Sequence, residues 1–281
     1  MTSLNPATRR DAAALTRADV GLFVLAGFVI ASLKDVSARD GLLAFLDGLA
    51  RQNLFFCFAV YVAGWRLLRS PARAASGFDI GLLIIAALLF ALAAYLGQPL
   101  AAGLVLTVLV LAFATQRPEP EFRSALIVMG AMAVNCFWGP LMFQTFTDQI
   151  IGIDVTALRM INAVLRPDIT SNGATFRTGE GFSIIVIGAC SVFNSASVAV
   201  LAATAISQRL KTWMGKRDIA AMAAVLLVML AMNSGRLAIL GWSRDNYLFW
   251  HNGPGVVWFG LGETAVIAIV ATLCARWAAR A

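Results

Sequence analysis

Repeated runs of about 20 apolar residues constrain this chain more than any other feature, because a helix needs about that length to cross the hydrocarbon of a bilayer. Eight stretches fit, roughly 18–33, 52–68, 79–96, 98–116, 124–144, 183–207, 218–240 and 255–275. Charged residues make up 13% of the 281 positions and hydrophobic ones 60%. A soluble domain carries about a quarter charged residues. The chain therefore reads as an all-α polytopic membrane protein with about eight transmembrane helices. No long polar segment is present to build a soluble domain, so residues 1–281 read as a single transmembrane domain. The first run is short and follows a basic leader, as in a signal peptide. No Ala-x-Ala cleavage site follows it, and it is expected to be a retained anchor. Gly97-Gln98-Pro99 suits a tight hairpin between the third and fourth runs.

The formal net charge of +7 bears on topology before it bears on partners. Basic residues collect on cytoplasmic loops. With the N-terminus in the cytoplasm, 14 of the 22 Lys and Arg fall on that side: Arg9, Arg10, Arg17, Arg66, Arg69, Arg73, Arg117, Arg123, Arg209, Lys211, Lys216, Arg217, Arg276 and Arg280. Seven fall outside (Lys34, Arg39, Arg51, Arg159, Arg166, Arg177, Arg244), and Arg236 lies within a run. An even number of spans puts both termini inside. Nucleic acid is not an expected partner; the bilayer is. One histidine, His251, rules out a multi-histidine metal site. Cys57, Cys136, Cys190 and Cys274 are scattered through apolar runs without a CxxC pair, which suggests neither zinc nor a disulfide framework.

Two outer segments stand out. Residues 145–182 begin with the amphipathic QIIGIDVTALRMINAVL, expected to lie along the interface as a short helix. They continue as RPDITSNGATFRTGEGFS, where Asn172-Gly173 reads as a turn in a small hairpin. Residues 241–254, GWSRDNYLFWHNGP, carry the Trp and Tyr of a membrane interface. No internal repeat is evident. Residues 1–123 look like scaffold, and polar detail concentrates later, so 124–281 reads as the functional part.

Ionisable groups inside spans are costly and often functional. Arg236, in MLAMNSGRLAIL, lies about four residues from the outer end of the seventh run, where it could also simply snorkel outward. His251, in FWHNGPG, precedes the eighth run; a lone interfacial histidine is more often structural. Cys190, in GACSVFNSAS, is expected about seven residues into the sixth run, roughly 10 Å below its outer end. A lone cysteine there is commonly a small hydrophobe. Together the three converge, since they come from consecutive runs and all fall toward the outer face. The thiolate is the nucleophilic form of cysteine, and cations or helix N-termini favour it. An imidazole can exchange protons with a thiol and with a leaving amine. A guanidinium can hold a carbonyl or an oxyanion, but cannot act as a base.

Ala189-Cys190-Ser191, Asn233-Ser234-Gly235-Arg236 one run later and His251 before the last run resemble the exosortase/archaeosortase family of membrane transpeptidases. The resemblance covers about 135–265 and rests on the order, spacing and common membrane side of these short motifs. It implies a cysteine transpeptidase or protease of the bacterial inner membrane, without cofactor or metal, with Cys190, Arg236 and His251 catalytic. The implied partners are exported proteins whose C-terminus carries a recognition motif such as Pro-Glu-Pro, one transmembrane helix and a basic cluster. Family members commonly have Gly after Cys-Ser, whereas this chain has Val192, which bears on the substrate subtype. RPEPEFR at 117–123 lacks the sequel of a sorting signal and is expected to be a cytoplasmic loop.

Supporting candidates are Ser191, Asn194, Asn233 and Glu263. Glu263 lies about eight residues into the eighth run; it is a partner for Arg236, or a carboxyl that pairs elsewhere or stays protonated. Asn194 shares a helical face with Cys190 by its spacing, although Asn194, Ser195 and Ser197 equally suit close helix packing. Asn135 and Trp138 could line a site, and Asp245 or Asn246 could orient His251. Two other readings compete with the enzyme: a transporter whose solute path Arg236 and Glu263 mark, and a non-catalytic component of surface polysaccharide export. Transporters usually carry repeats, which are absent here.

Overall fold

A computed structural model describes residues 15–32, 54–178, 181–191 and 193–280. Val192 lies outside the described residues, as do the basic positions Arg9, Arg10, Lys34, Arg39 and Arg51. Nothing is described of the Asn194 side chain. The helices are α1 Arg17–Ser32, α2 Leu54–Arg69, α3 Gly77–Tyr95, α4 Pro99–Ala114, α5 Pro120–Ala133, α6 Gly139–Thr145, α7 Thr147–Leu165, α8 Phe193–Leu210, α9 Lys216–Trp242, α10 Arg244–Tyr247 and α11 Gly255–Ala279. A π turn at Val134–Trp138 joins α5 to α6, and another at Leu248–Asn252 follows α10. Among the described residues, by length and composition, four helical stretches suffice to cross a membrane: 77–95, 120–145, 216–242 and 255–279. The Pro99–Ala114 helix is apolar but shorter. Large side chains such as Ile84, Leu88, Leu92, Leu111, Ile269 and Leu273 face outward, as lipid-facing residues do. The architecture is that of an α-helical membrane protein with a small sheet at one end.

Local chemistry sets the helix ends. Ser76 caps α3: its Oγ accepts from the Asp79 amide at 3.2 Å, while the Asp79 carboxylate accepts from the Ser76 amide at 2.8 Å. Gly97 takes φ +61° at the α3–α4 turn, a conformation that costs glycine little, and Pro99 then opens α4. At the α5–α6 junction Pro140 lacks the amide that a regular helix would use, and the backbone widens into the π turn.

Helix α8 stands at the centre, packed against α2, α5, α9 and α11. One core joins α1 to α5 with Leu201 and Ala205 of α8. A second joins α8, α9 and α11. A third lies over one end of the bundle, where α7 and the sheet close on Leu237, Ala238 and Leu240 of α9. The sheet is β1 Thr170–Asn172, β2 Thr175–Arg177 and β3 Ser183–Ile185, antiparallel in that order. The helix over this amphipathic stretch and the hairpin at Asn172-Gly173 match the expectation, and Gly173 takes φ +57° in the turn.

The sixth run departs from expectation. Its first residues, SIIVI, are extended: β3 pairs with β2, Ile184 and Val186 are buried, and a 3₁₀ turn at Gly188–Cys190 precedes α8. A short apolar run rich in β-branched residues suits strand as well as helix. The neighbouring β2 supplies the pairing that decides between them. Cys190 therefore precedes the helix instead of lying two turns inside it.

The opposite end is tied by charge. Arg66 of α2 reaches the C-terminus of α8, where its guanidinium donates to the Gln208 carbonyl (Nε, 2.8 Å) and the Lys211 carbonyl (3.1 Å) and pairs with Glu121 at 2.7 Å. These are carbonyls that a helix end leaves without intrahelical donors. RPEPEFR belongs to this network: Glu119 meets Arg73 at 3.0 Å, and Glu121 meets Arg66. Arg66→Met is expected to cost about 2–4 kcal/mol in SDS-titration unfolding, since two carbonyls and a carboxylate lose a charged donor. Arg66→Lys should recover only part, because an ammonium cannot fork to all three.

Candidate functional site

The third core, at the sheet end of the bundle, positions the residues that the sequence singled out. Cys190 ends the 3₁₀ turn, so its thiol sits where the extended run turns into α8. Two neighbours fix that turn. Asn233 Nδ2 donates to the Cys190 carbonyl at 3.0 Å and to Asp154 Oδ1 at 3.4 Å. Ser191 Oγ donates to Asp154 Oδ2 in a short hydrogen bond. Asp154 is fully buried, Ser191 and Asn233 nearly so. The backbone carrying the thiol is thus pinned on both sides by one carboxylate and one amide.

Cys190 and His251 line the same cavity, of about 450 Å³, a size within the range of roughly 300–1,000 Å³ typical of ligand pockets. Its other walls are residues 182–187, Leu237 and Leu240 of α9, and Tyr247. His251 stacks on Tyr247 with ring centroids 4.7 Å apart, and its Nδ1 lies 3.0 Å from Asn252 Oδ1. Asp245 and Asn246, expected to orient the imidazole, do not; Tyr247 and Asn252 hold it. Asn246 instead bonds through its amide to Ser243 Oγ, the cap of α10.

Arg236 shares the face of α9 that carries Asn233, one turn earlier, and Leu237. It does not line the cavity. Its Nη2 donates to the Trp250 carbonyl at 3.4 Å, its guanidinium lies 4.7 Å from the Phe259 ring centroid, and its buried Nε has no hydrogen-bond partner among the described residues. The Trp250 contact ties the α9 arginine to the residue before His251. Glu263 forms no ion pair with Arg236 among the described residues; the arginine's neighbour on α11 is Phe259. Asn135 and Ser197 meet each other, Ser197 Oγ donating to Asn135 Oδ1 at 3.2 Å, and a Cβ on Gly139 would fall 2.7 Å from the Ser197 Cβ. That pair belongs to close helix packing. Trp138 Nε1 donates to Thr107 at 3.2 Å and does not line the cavity. No cluster of three or more His, Cys, Asp or Glu able to hold a metal occurs among the described residues.

Asp154 is the residue that sequence reasoning missed. The signal was present: it shares the i, i+4, i+8 stripe of α7 with Leu158 and Asn162, and all three are buried. An acid on the core-facing stripe of an amphipathic helix needs a partner inside the protein. Asp154→Ala is expected to leave the Ser191 hydroxyl and the Asn233 amide short of an acceptor, at about 1–3 kcal/mol each. Hydrogen exchange should then speed up in 183–191 while the α2–α5 core keeps its protection. Asp154→Asn, which keeps one acceptor, should lie between.

Set beside known proteins, the chain matches no family model, no curated protein and no solved structure.

Proposed function

We propose that this chain is a membrane-embedded cysteine transpeptidase or endopeptidase of the exosortase/archaeosortase kind. In this reading it crosses the bacterial cytoplasmic membrane eight times, with both termini in the cytoplasm. It cleaves exported proteins at a C-terminal motif that precedes a transmembrane helix and a basic tail. The observation that carries the reading is the shared cavity: Cys190 and the chain's single histidine line one pocket beside the extended segment that enters α8. The motifs Ala189-Cys190-Ser191, Asn233-x-x-Arg236 and His251 support it by resemblance.

The chemistry follows from the side chains. With Asn252 Oδ1 accepting from Nδ1, the imidazole keeps Nε2 for proton exchange. His251 takes the thiol proton as Cys190 Sγ attacks the scissile carbonyl carbon. The carbonyl π electrons move to oxygen; the resemblance assigns the stabilisation of that developing charge to Arg236, which lies outside the cavity and is tied through the Trp250 carbonyl to the residue before His251. The tetrahedral adduct collapses as His251 returns the proton to the leaving amine, giving a thioester on Cys190. An amine or water acceptor then gives its proton to His251 and attacks the thioester, and the thiolate leaves and is reprotonated. Asn233 and Asp154 act earlier, by holding the Cys190 and Ser191 backbone before substrate arrives.

Co-expression with an exported protein bearing such a tail tests the reading by immunoblot of precursor and product. Cys190→Ala and Cys190→Ser should each reduce processing at least about a thousandfold at unchanged enzyme abundance. His251→Ala should cost about a hundredfold to ten-thousandfold, as loss of a general acid–base does. Arg236→Lys should cost about a hundredfold or more. Full processing by Cys190→Ala overturns the mechanism.

A further inference from the structure

We infer that the peptide segment entering this cavity binds as an added fourth strand on the free edge of β3, an inference that rests on the peptide-cleaving reading and specifies how its substrate is held. Side chains of a strand alternate between its two faces. A cavity walled by six consecutive residues of extended chain, 182–187, with β3 at their centre, therefore looks onto the strand's edge rather than one face. The other edge is occupied. Val186 donates its amide to the Ala174 carbonyl at 3.0 Å, and the Thr178 amide donates to the Phe182 carbonyl at 2.8 Å. Ile184 pairs with Phe176 between them. Residues 182, 184 and 186 thus spend their inward-facing backbone groups on β2. By the alternation of a ladder, Ser183, Ile185 and Ile187 aim theirs the opposite way. No hydrogen bond is formed by the amides of Ser183, Ile185 and Ile187 or by the carbonyls of Ser183 and Ile185 among the described residues, while the Ile187 carbonyl closes the 3₁₀ turn at the Cys190 amide (2.8 Å).

That edge runs straight into the thiol. From Ser183 to Ile187 is about 13 Å of extended chain at 3.3 Å per residue, and Cys190 follows after the single turn. An unpaired edge is a template for another strand, and strand addition is a general mode of peptide recognition, in which main-chain bonds give affinity and pockets select alternate side chains. The walls also fix the chemistry of the guest. Among the described residues no Asp, Glu, Lys or Arg lines the cavity; Phe182, the isoleucines, Leu237 and Leu240 do. The segment held there is an extended peptide whose cavity-facing side chains are uncharged and apolar.

The test uses the full-length protein in nanodiscs and acetyl-Val-Ala-Val-Ala-chloromethyl ketone, whose chloride the Cys190 thiolate displaces to leave a thioether. Alkylation is mapped to Cys190 by mass, with chloroacetone as the reference that carries the same reactive carbon and no peptide. Four analogues are N-methylated at one amide each. Strand addition predicts alternation: methylation at every second amide slows alkylation about tenfold, and at the others by under about twofold. Ile185→Pro removes an edge-facing amide that β2 does not use, a place where an edge strand tolerates proline. It should slow the peptidyl probe about tenfold more than it slows chloroacetone. Equal effects at all four amides, a peptidyl probe no faster than chloroacetone, or no effect of Ile185→Pro overturns strand docking. Cys190-dependent processing with no alternation would sink the docking alone, whereas alternation with full processing by Cys190→Ala would sink the chemistry alone.

Discussion

A backbone amide or carbonyl placed in hydrocarbon must find its partner inside the protein, and the rest of this structure depends on that constraint. Helices meet it within themselves. The stretch 183–191 does not, being extended and then 3₁₀. It persists because β2 pairs with Ile184, the Ala174 carbonyl takes the Val186 amide, Asn233 takes the Cys190 carbonyl, and α7 roofs the assembly with Asp154 turned inward. Polar side chains at that end of the bundle are therefore structural before they are chemical. Asn233 illustrates both: within the family resemblance it belongs to the arginine motif, and in the fold it holds the turn that presents the thiol.

The charges at the far end do complementary work. Helices α2 and α8 end there, and a helix end exposes carbonyls without donors. Arg66 satisfies two of them and pairs with Glu121, while Lys211 meets Asp218 at 2.8 Å beside the start of α9. Lys211 also donates to the Ala278 carbonyl at 3.2 Å, near the end of α11. Arg17 joins the same layer through Gln116 at 2.7 Å and Asp79 at 3.5 Å. The clustering of basic residues at this end thus coincides with a packing requirement. Basic side chains at this end satisfy the helix termini that the central α8 and its neighbours leave open.

Much of this was legible in residue order. The apolar runs marked the helices, because a helix that faces lipid must be apolar around most of its surface. The amphipathic period of 147–165 marked α7, and Asn172-Gly173 marked the turn, because few other pairs accept that backbone. The entry to α8 was not legible. SIIVI is apolar on both sides, since Ile184 and Val186 are buried while Ile185 and Ile187 are exposed, and all four border the cavity. Hydrophobicity therefore carried no period from which to read a strand. The partners of His251 were missed for a related reason. Proximity in sequence suggested Asp245 and Asn246, but the turn of α10 and the π segment bring Tyr247 under the imidazole and leave Asn252 beside it. Pairing decided by tertiary geometry leaves no local sequence signal.

The position of Cys190 sharpens the comparison between a packing cysteine and a reactive one. A thiol two turns inside a lipid-facing helix would have its backbone satisfied by the helix and its side chain walled by neighbouring helices. At the end of an extended segment the constraints change. The residues before it present an edge, the residues after it begin a helix, and the carbonyl of the thiol's own residue is held by an amide from α9. A peptide lying along that edge would reach the thiol with its backbone in register, because the strand and the turn belong to one pinned segment. Position along the guest is then set by main-chain hydrogen bonds, and selectivity falls to whichever side chains face the apolar wall. The same feature that hides the strand from sequence reading, apolar residues on both faces, makes the described cavity wall beside the Cys190 thiol free of charged side chains.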